Sequence, residues 1–170
     1  MSKSEFVDTF LPAALQAGSC FRMNPAIILA QAAIESGWGE SVLARAHNNF
    51  FGITAYGATN LYWNGEKTNP ADEGGGSHLL FRCYACAGNS FMDFARLIRS
   101  VYPIAASLSY KPAAYAKEIA YSRYISEVNG DNRVAYQRLL VQIERSLLPF
   151  LPLPERRPQQ SITIHSSNQQ

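Results

Sequence analysis

The feature that most constrains this chain is the run Ala26-Ile-Ile-Leu-Ala-Gln-Ala-Ala-Ile-Glu-Ser-Gly37, apolar on nearly every face of a helix and carrying a single charge, Glu35. A helix without a polar face belongs at the centre of a fold, wrapped by other elements. Asn24-Pro25 in front supplies an N-cap and a proline at the first helical position, and Gly37 supplies the stop. With 170 residues, 47% of them hydrophobic and 16% charged, the chain is long enough to bury such a helix within one domain. Glu35 is then a carboxyl near the C-terminal end of a buried helix. Low-dielectric surroundings and the negative end of the helix dipole both favour its protonated form. A carboxyl that keeps its proton near neutral pH is what a general acid requires. Position alone leaves open the ordinary alternative, a glutamate facing solvent at a helix end.

Other elements follow from periodicity and punctuation. Ser4–Ala17 is predicted as a first helix, with Phe6, Phe10, Leu11 and Leu15 at helical spacing and Gly18 as its end. Between Asn48 and Phe81 the helical pattern gives way to Gly, Asn, Thr, Pro and aromatic residues. A small irregular β-hairpin is expected there, around Leu61–Trp63 and Ser77–Phe81, with Gly74-Gly75-Gly76 as a turn. Helical signals resume after Gly88: Asn89 or Ser90 as cap, Asp93 in the first turn, and Phe91, Phe94, Leu97, Ile98 and Val101 as an apolar stripe. Pro112 opens a helix over Ala113–Ala120, and Asn132–Leu148 reads as a last long one. Residues 1–150 are expected to form the domain, and the Pro- and Gln/Ser/Asn-rich stretch 151–170 a disordered tail. The fold class expected is α+β, mostly helical, with a small β-hairpin lobe.

Composition excludes several functions. A formal net charge of +2 without a polybasic run is no nucleic-acid footprint. The odd cysteine count, Cys20, Cys83 and Cys86, argues against a disulfide framework. The single Cys83-x-x-Cys86 pair lacks the second pair or the histidines of a zinc site, and His47 and His78 stand alone. No metal and no cofactor is therefore expected. The N-terminal stretch shows no apolar signal core, and no uncharged apolar stretch reaches the ~18 residues of a membrane span. On this reading the chain is made in the cytoplasm and does not insert into a membrane.

The surroundings of Glu35 carry a resemblance. Ala30-Gln-Ala-Ala-Ile-Glu35-Ser-Gly-Trp-Gly39, followed by Asn49-Phe-Phe-Gly-Ile53, is similar to the signature of family 73 glucosaminidases. Downstream, Phe81-Arg82-Cys83-Tyr84 with Ser90 and Asp93 resembles that family's Phe-Arg-x-Tyr … Ser-x-x-Asp stretch. These are bacterial, flagellar and phage peptidoglycan hydrolases. The resemblance, over about Asn24 to Ile143, implies a lysozyme-like fold and hydrolysis of the β-1,4 bond between N-acetylglucosamine and N-acetylmuramic acid. Glu35 matches the family's catalytic acid. A second carboxylate is implied a few residues before Phe-Arg-x-Tyr; Glu66, Asp72 and Glu73 are the candidates, Glu73 first and Glu66 second, within a shortened hairpin lacking the usual Thr-x-Glu context. A spacing of about 5–5.5 Å between the carboxyls would suit a nucleophile and roughly 6.5–9.5 Å an inverting water attack, with the substrate's acetamido group as a third route. Tyr124, with Tyr121 next, partly matches the family's tyrosine beside the acid, and Tyr136 its following helix tyrosine, across an apparent insertion at Val128–Val134. Trp38, Phe51, Tyr62 and Trp63 are candidate platforms for pyranose faces, Phe50 being expected in the core.

Two other readings fit the same residues. A lysozyme-like lytic transglycosylase shares the lone buried glutamate, and a catalytically silent glycan-binding module would share the cleft. Retention of Glu35 within an intact motif favours the enzyme, and Phe-Phe-Gly-Ile with Phe-Arg-Cys-Tyr favours the hydrolase. Without a leader, delivery to a cell wall would need a specialised route. An antibacterial effector of the type VI secretion kind, partnered by an immunity protein that plugs the cleft, is one expectation. A phage endolysin released through a holin is the other.

Overall fold

The computed structural model describes residues 1–70, 79–125 and 132–151. Within them lie seven α-helices and one two-stranded sheet: α1 (Lys3–Phe21), α2 (Pro25–Ser36), α3 (Val42–His47), β1 (Lys67–Thr68), β2 (Phe81–Arg82), α4 (Ala87–Val101), α5 (Pro103–Leu108), α6 (Pro112–Ala120) and α7 (Arg133–Leu147). A short 3-10 turn, Leu148–Phe150, follows α7. The expected proportions hold: mostly helix, with a small β lobe.

The central helix forms as its sequence dictates. The Asn24 side chain accepts from Ala26 N, Pro25 stands at the first position, and Gly37 closes the helix at φ +56°. Ala26 through Ala33 are all buried, and α2 packs against α1, α4 and α7. The turn that follows keeps three successive residues in the left-handed region: Gly37, Trp38 (φ +59°) and Gly39 (φ +79°). Glycine takes such angles freely; tryptophan does so at a cost. The turn is held by Gly39 N donating to the buried Ser36 Oγ, at 2.8 Å, and by Trp38 N donating to Ala33 O, also at 2.8 Å.

α1 runs further than Gly18. Ser2 and Glu5 form a capping box at its start, and Arg22, in the left-handed region, ends it. Gly18 is needed for packing rather than for termination: a Cβ there would lie 2.6 Å from the Met23 carbonyl oxygen. Leu15 is exposed, so the buried stripe of α1 is Phe6, Val7, Phe10, Ala14 and Ala17. The rings of Phe6, Phe10, Phe50 and Phe91 form one aromatic cluster with Trp38 at its edge.

The β lobe differs from the expected hairpin. Leu61–Trp63 is turn, and the strands are Lys67–Thr68 and Phe81–Arg82, paired antiparallel, with Thr54 bridging Phe81. The Gly74–Gly76 turn lies outside the described residues, as do Asp72, Glu73, His78, most of the Val128–Val134 insertion and residues 152–170 of the expected tail. α4 starts at Ala87, earlier than Asn89 or Ser90, and its Val101 is exposed. Helix α6 and helix α7 match their expected spans to within a residue.

A buried polar hub joins the lobe to α4. Asp93 Oδ2 accepts from Arg82 Nη1 at 2.6 Å and from Tyr84 Oη at 2.7 Å, while Oδ1 accepts from Arg96 Nε at 2.8 Å and Asn60 Nδ2 at 3.0 Å. Arg82 also donates to the carbonyls of Thr54 (3.2 Å) and Tyr56 (2.6 Å). Asn49 donates to the carbonyls of Ile53 and Arg82, both at 2.9 Å, and Ser90 Oγ accepts from Phe50 N at 3.1 Å. The Asn-Phe-Phe-Gly-Ile and Phe-Arg-Cys-Tyr … Ser … Asp segments therefore lock each other in place. Every buried polar atom named here has a partner, the condition under which a buried network stabilises rather than costs.

Candidate active site

Residues 51–54 lie at the end of that locked loop and form one wall of a cleft of about 360 Å³. The cleft is lined also by Leu97 and Tyr102 at the end of α4 and by Arg123, Tyr124 and Ile125 after α6. Glu35, in the last turn of α2, lines the same cleft. The lone charge of the central helix thus reaches open space in a cleft.

Three tyrosines surround Glu35. Tyr136, in the first turns of α7, donates its hydroxyl proton to Glu35 Oε1 at 2.8 Å. The Tyr136 oxygen in turn accepts from Gln31 Nε2 at 3.1 Å, and Gln31 Oε1 accepts from Tyr115 Oη. Tyr124 Oη is buried and has no hydrogen-bond partner among the described residues. Burial first, and then the nearby Glu35 charge, push the Tyr115, Tyr124 and Tyr136 phenols up from their usual range. All three therefore stay protonated and can act as donors at any working pH.

The expected site residues separate into three groups. Glu35 and Tyr124 line the cleft, and Tyr136, which does not line it, is hydrogen-bonded to Glu35. Phe51 lines it too, but its ring is stacked on Phe94, 3.9 Å between centroids and 5° between planes, so it serves as wall more than as open platform. Trp38, Tyr62, Trp63, Tyr121 and Glu66 are not among the residues lining this cleft. Trp38 packs edge-on against Phe6 at 5.4 Å, with Lys3 Nζ over its ring at 5.7 Å. Trp63 is buried, covered by the Arg82 guanidinium at 4.1 Å, and its indole donates to Glu66 O at 2.7 Å. Tyr62 meets Phe21 edge-on, and the exposed Tyr121 carries Arg133 at 5.8 Å over its ring. Glu66 is exposed; its carbonyl, accepting from Trp63 Nε1 and Cys83 N, ties down the lobe. Glu73 lies outside the described residues.

Sequence reasoning missed Gln31, Tyr115, Tyr102 and Arg123. Gln31 carried a signal: it is a polar side chain in the middle of the apolar stretch of α2, one turn before Glu35 and on the same face. Arg123 looked like any loop cation, and only the path of the chain after α6 turns it into a cleft residue.

A helical body, a small β lobe and a carboxyl-bearing cleft lined from both make up a lysozyme-like fold. The model of the Glucosaminidase family, described as mannosyl-glycoprotein endo-beta-N-acetylglucosaminidase, matches residues 11–147, and the chain belongs to this family. It is 27% identical over 161 residues to the peptidoglycan hydrolase FlgJ of Pseudomonas aeruginosa, a match covering 88% of this chain but 38% of that protein, so the chain spans about two-fifths of that relative's length. Among solved structures it is similar to the catalytic domain of the autolysin Auto from Listeria monocytogenes (TM-score 0.62, 24% identity, covering 86% of this chain and 85% of that one). It is similar also to a chain of a type VI secretion system effector–immunity complex from Pseudomonas protegens (TM-score 0.60, 17% identity, covering 85% and 93%). At these identities the structural likeness speaks for the fold alone.

Proposed function

We propose that this chain hydrolyses peptidoglycan at the β-1,4 bond between N-acetylglucosamine and N-acetylmuramic acid, with Glu35 as general acid. The observation that carries this reading is the placement of Glu35: a carboxyl at the end of a buried helix, opening into a cleft and held by a tyrosine hydroxyl. The carboxyl protonates the glycosidic oxygen as the bond to the anomeric carbon breaks. As the proton leaves, Glu35 gains negative charge, and the Tyr136 donation becomes charge-assisted and stronger. An interaction that strengthens along the reaction coordinate accelerates the step itself. Tyr124 adds a buried hydroxyl near the acid that has no partner among the described residues, and its ring helps line the cleft.

Glu73 is proposed as the second carboxylate. The chain enters β2 along the cleft wall, with Ala55 N donating to Leu80 O at 2.8 Å and Thr54 bridging Phe81. The resemblance implies a carboxylate a few residues before Phe81-Arg82, and Glu66, the alternative, has an exposed side chain that does not line the cleft. Residues 1–150 are proposed as the catalytic domain. Among the described residues no helix is long and apolar enough to cross a membrane.

The chain is further proposed to act as an antibacterial effector on the wall of a recipient cell, opposed by an immunity protein that covers the cleft. The likeness in fold to a chain of an effector–immunity complex supports this. Expression with an export leader provides one test of both levels. Lysis should release wall fragments with reducing-end N-acetylglucosamine, and the product of an adjacent gene should prevent it. Anhydro-muramic ends would contradict hydrolysis at this bond, and lysis that no neighbouring product relieves would contradict the effector reading.

A further inference from the structure

The chain of hydrogen bonds behind Glu35 has a direction. Tyr115 Oη donates to Gln31 Oε1, Gln31 Nε2 donates to Tyr136 Oη at 3.1 Å, and Tyr136 Oη donates to Glu35 Oε1 at 2.8 Å. Three helices supply the links: α6 gives Tyr115, α2 gives Gln31 and Glu35, and α7 gives Tyr136. Gln31 and Tyr115 are both fully buried.

The same four groups admit the opposite polarity. With the Gln31 amide flipped, its Nε2 would donate to Tyr115 Oη, Tyr136 would donate to Gln31 Oε1, and a protonated Glu35 would donate to Tyr136. The acid proton would then be held by Tyr136, away from a substrate. In the observed polarity Oε1 accepts from Tyr136, and the carbonyl oxygen of a carboxyl is the better acceptor, so the acid proton favours the other oxygen, Oε2. What separates the two states is the proton of the Tyr115 hydroxyl. In the observed polarity it has an acceptor. In the reversed one Gln31 no longer offers an oxygen, and a buried hydroxyl without an acceptor is unfavourable. The buried Tyr115 phenol cannot shed that proton instead, since burial raises its pKa.

We infer that Tyr115, acting through Gln31 and Tyr136, is a positioning residue that fixes the polarity of the hydrogen-bond chain and so favours the transferable proton of Glu35 on Oε2. The inference rests on Glu35 being the acid. Removing the Tyr115 hydroxyl frees Gln31 to flip, and Tyr136 then donates to Glu35 for only part of the time. Losing a donor to the carboxylate disfavours its anion, so the Glu35 pKa rises and the alkaline limb of the pH–rate profile moves to higher pH.

The test compares Tyr115→Phe, Gln31→Met, the double variant and Glu35→Gln on purified peptidoglycan, with thermal melts alongside. Tyr115→Phe is expected to lower kcat about three- to tenfold, the equivalent of one hydrogen bond, with KM unchanged and the alkaline limb displaced upward. Gln31→Met should lose at least as much, and the double variant should match Gln31→Met, because Tyr115 acts only through Gln31. A Tyr115→Phe protein with the wild-type pH profile and kcat overturns the polarity device while an inactive Glu35→Gln leaves the acid assignment standing. Additive losses in the double variant overturn it equally. An active Glu35→Gln overturns the acid assignment, and the polarity device with it.

Discussion

Tyr124 is where stability and function pull a single residue in opposite directions. Its side chain packs edge-on against Phe94 and Tyr102, at 6.3 and 6.1 Å between centroids, while its hydroxyl is buried beside Glu35 without a partner among the described residues. A hydroxyl kept in that condition costs stability, and such costs concentrate at functional sites. Tyr124→Phe keeps the ring and removes the orphan group. It should leave the melting temperature unchanged or raised, by no more than about 1 kcal/mol of stability, and lower kcat at least about tenfold, the equivalent of one well-placed hydrogen bond. Thermal melts and steady-state rates on peptidoglycan check both halves. A stability loss with intact kcat would show a packing role only. At this scale Glu35 was legible because it is the one charge in an apolar helix, and Tyr124 and Tyr136 were legible through resemblance. Tyr115 was not, because a tyrosine on an apolar helix face reads as core until a polar neighbour is seen beside it.

The two motifs between Asn49 and Asp93 act as elements rather than as catalysts. They carry no group into the cleft beyond its Phe51–Thr54 wall; they make that wall rigid. Asp93, fully buried, is the acceptor for four side chains, and two of them, Arg82 and Arg96, are cations. Asp93→Ala leaves the buried Arg82 charge without its counter-ion, a loss of about 3–5 kcal/mol. Urea unfolding should show a fall of that size, and a loss below about 1 kcal/mol would contradict the account of the hub. The spans of α2, α6 and α7 were legible: α2 from Asn24-Pro25 and Gly37, α6 from Pro112, and α7 from its length. The six-residue helices α3 and α5 are too short for a period to show, and the two-residue strands owe their position to Thr54 and Arg82 contacts distant in sequence. Gly18 looked like a stop signal but serves a close approach inside a helix, a distinction that only packing makes.

The whole molecule places one carboxyl at the mouth of its most buried helix. α2 is clasped by α1 and α7, the hub fixes the facing wall, and Arg133 at the start of α7 donates to the Ala120 and Ser122 carbonyls (2.8 and 3.1 Å), tying down the segment that leads to Tyr124. The mostly helical class and the family were legible from the chain; the outline of the cleft was not. Trp38, Tyr62, Trp63 and Tyr121 read as sugar platforms; none lines the cleft that holds Glu35, and the Trp63 ring is buried under Arg82. Aromatic residues near a motif signal a site only when the fold leaves their faces open. The most direct measurement is turnover of purified peptidoglycan by wild-type and Glu35→Gln protein at matched folded concentration. Substitution by the isosteric amide removes the transferable proton and should lower kcat by at least about a hundredfold, within the usual contribution of a general acid, with the melting temperature held. Activity within a few-fold of wild type would contradict the assignment of Glu35 as the acid, and with it the account of the cleft.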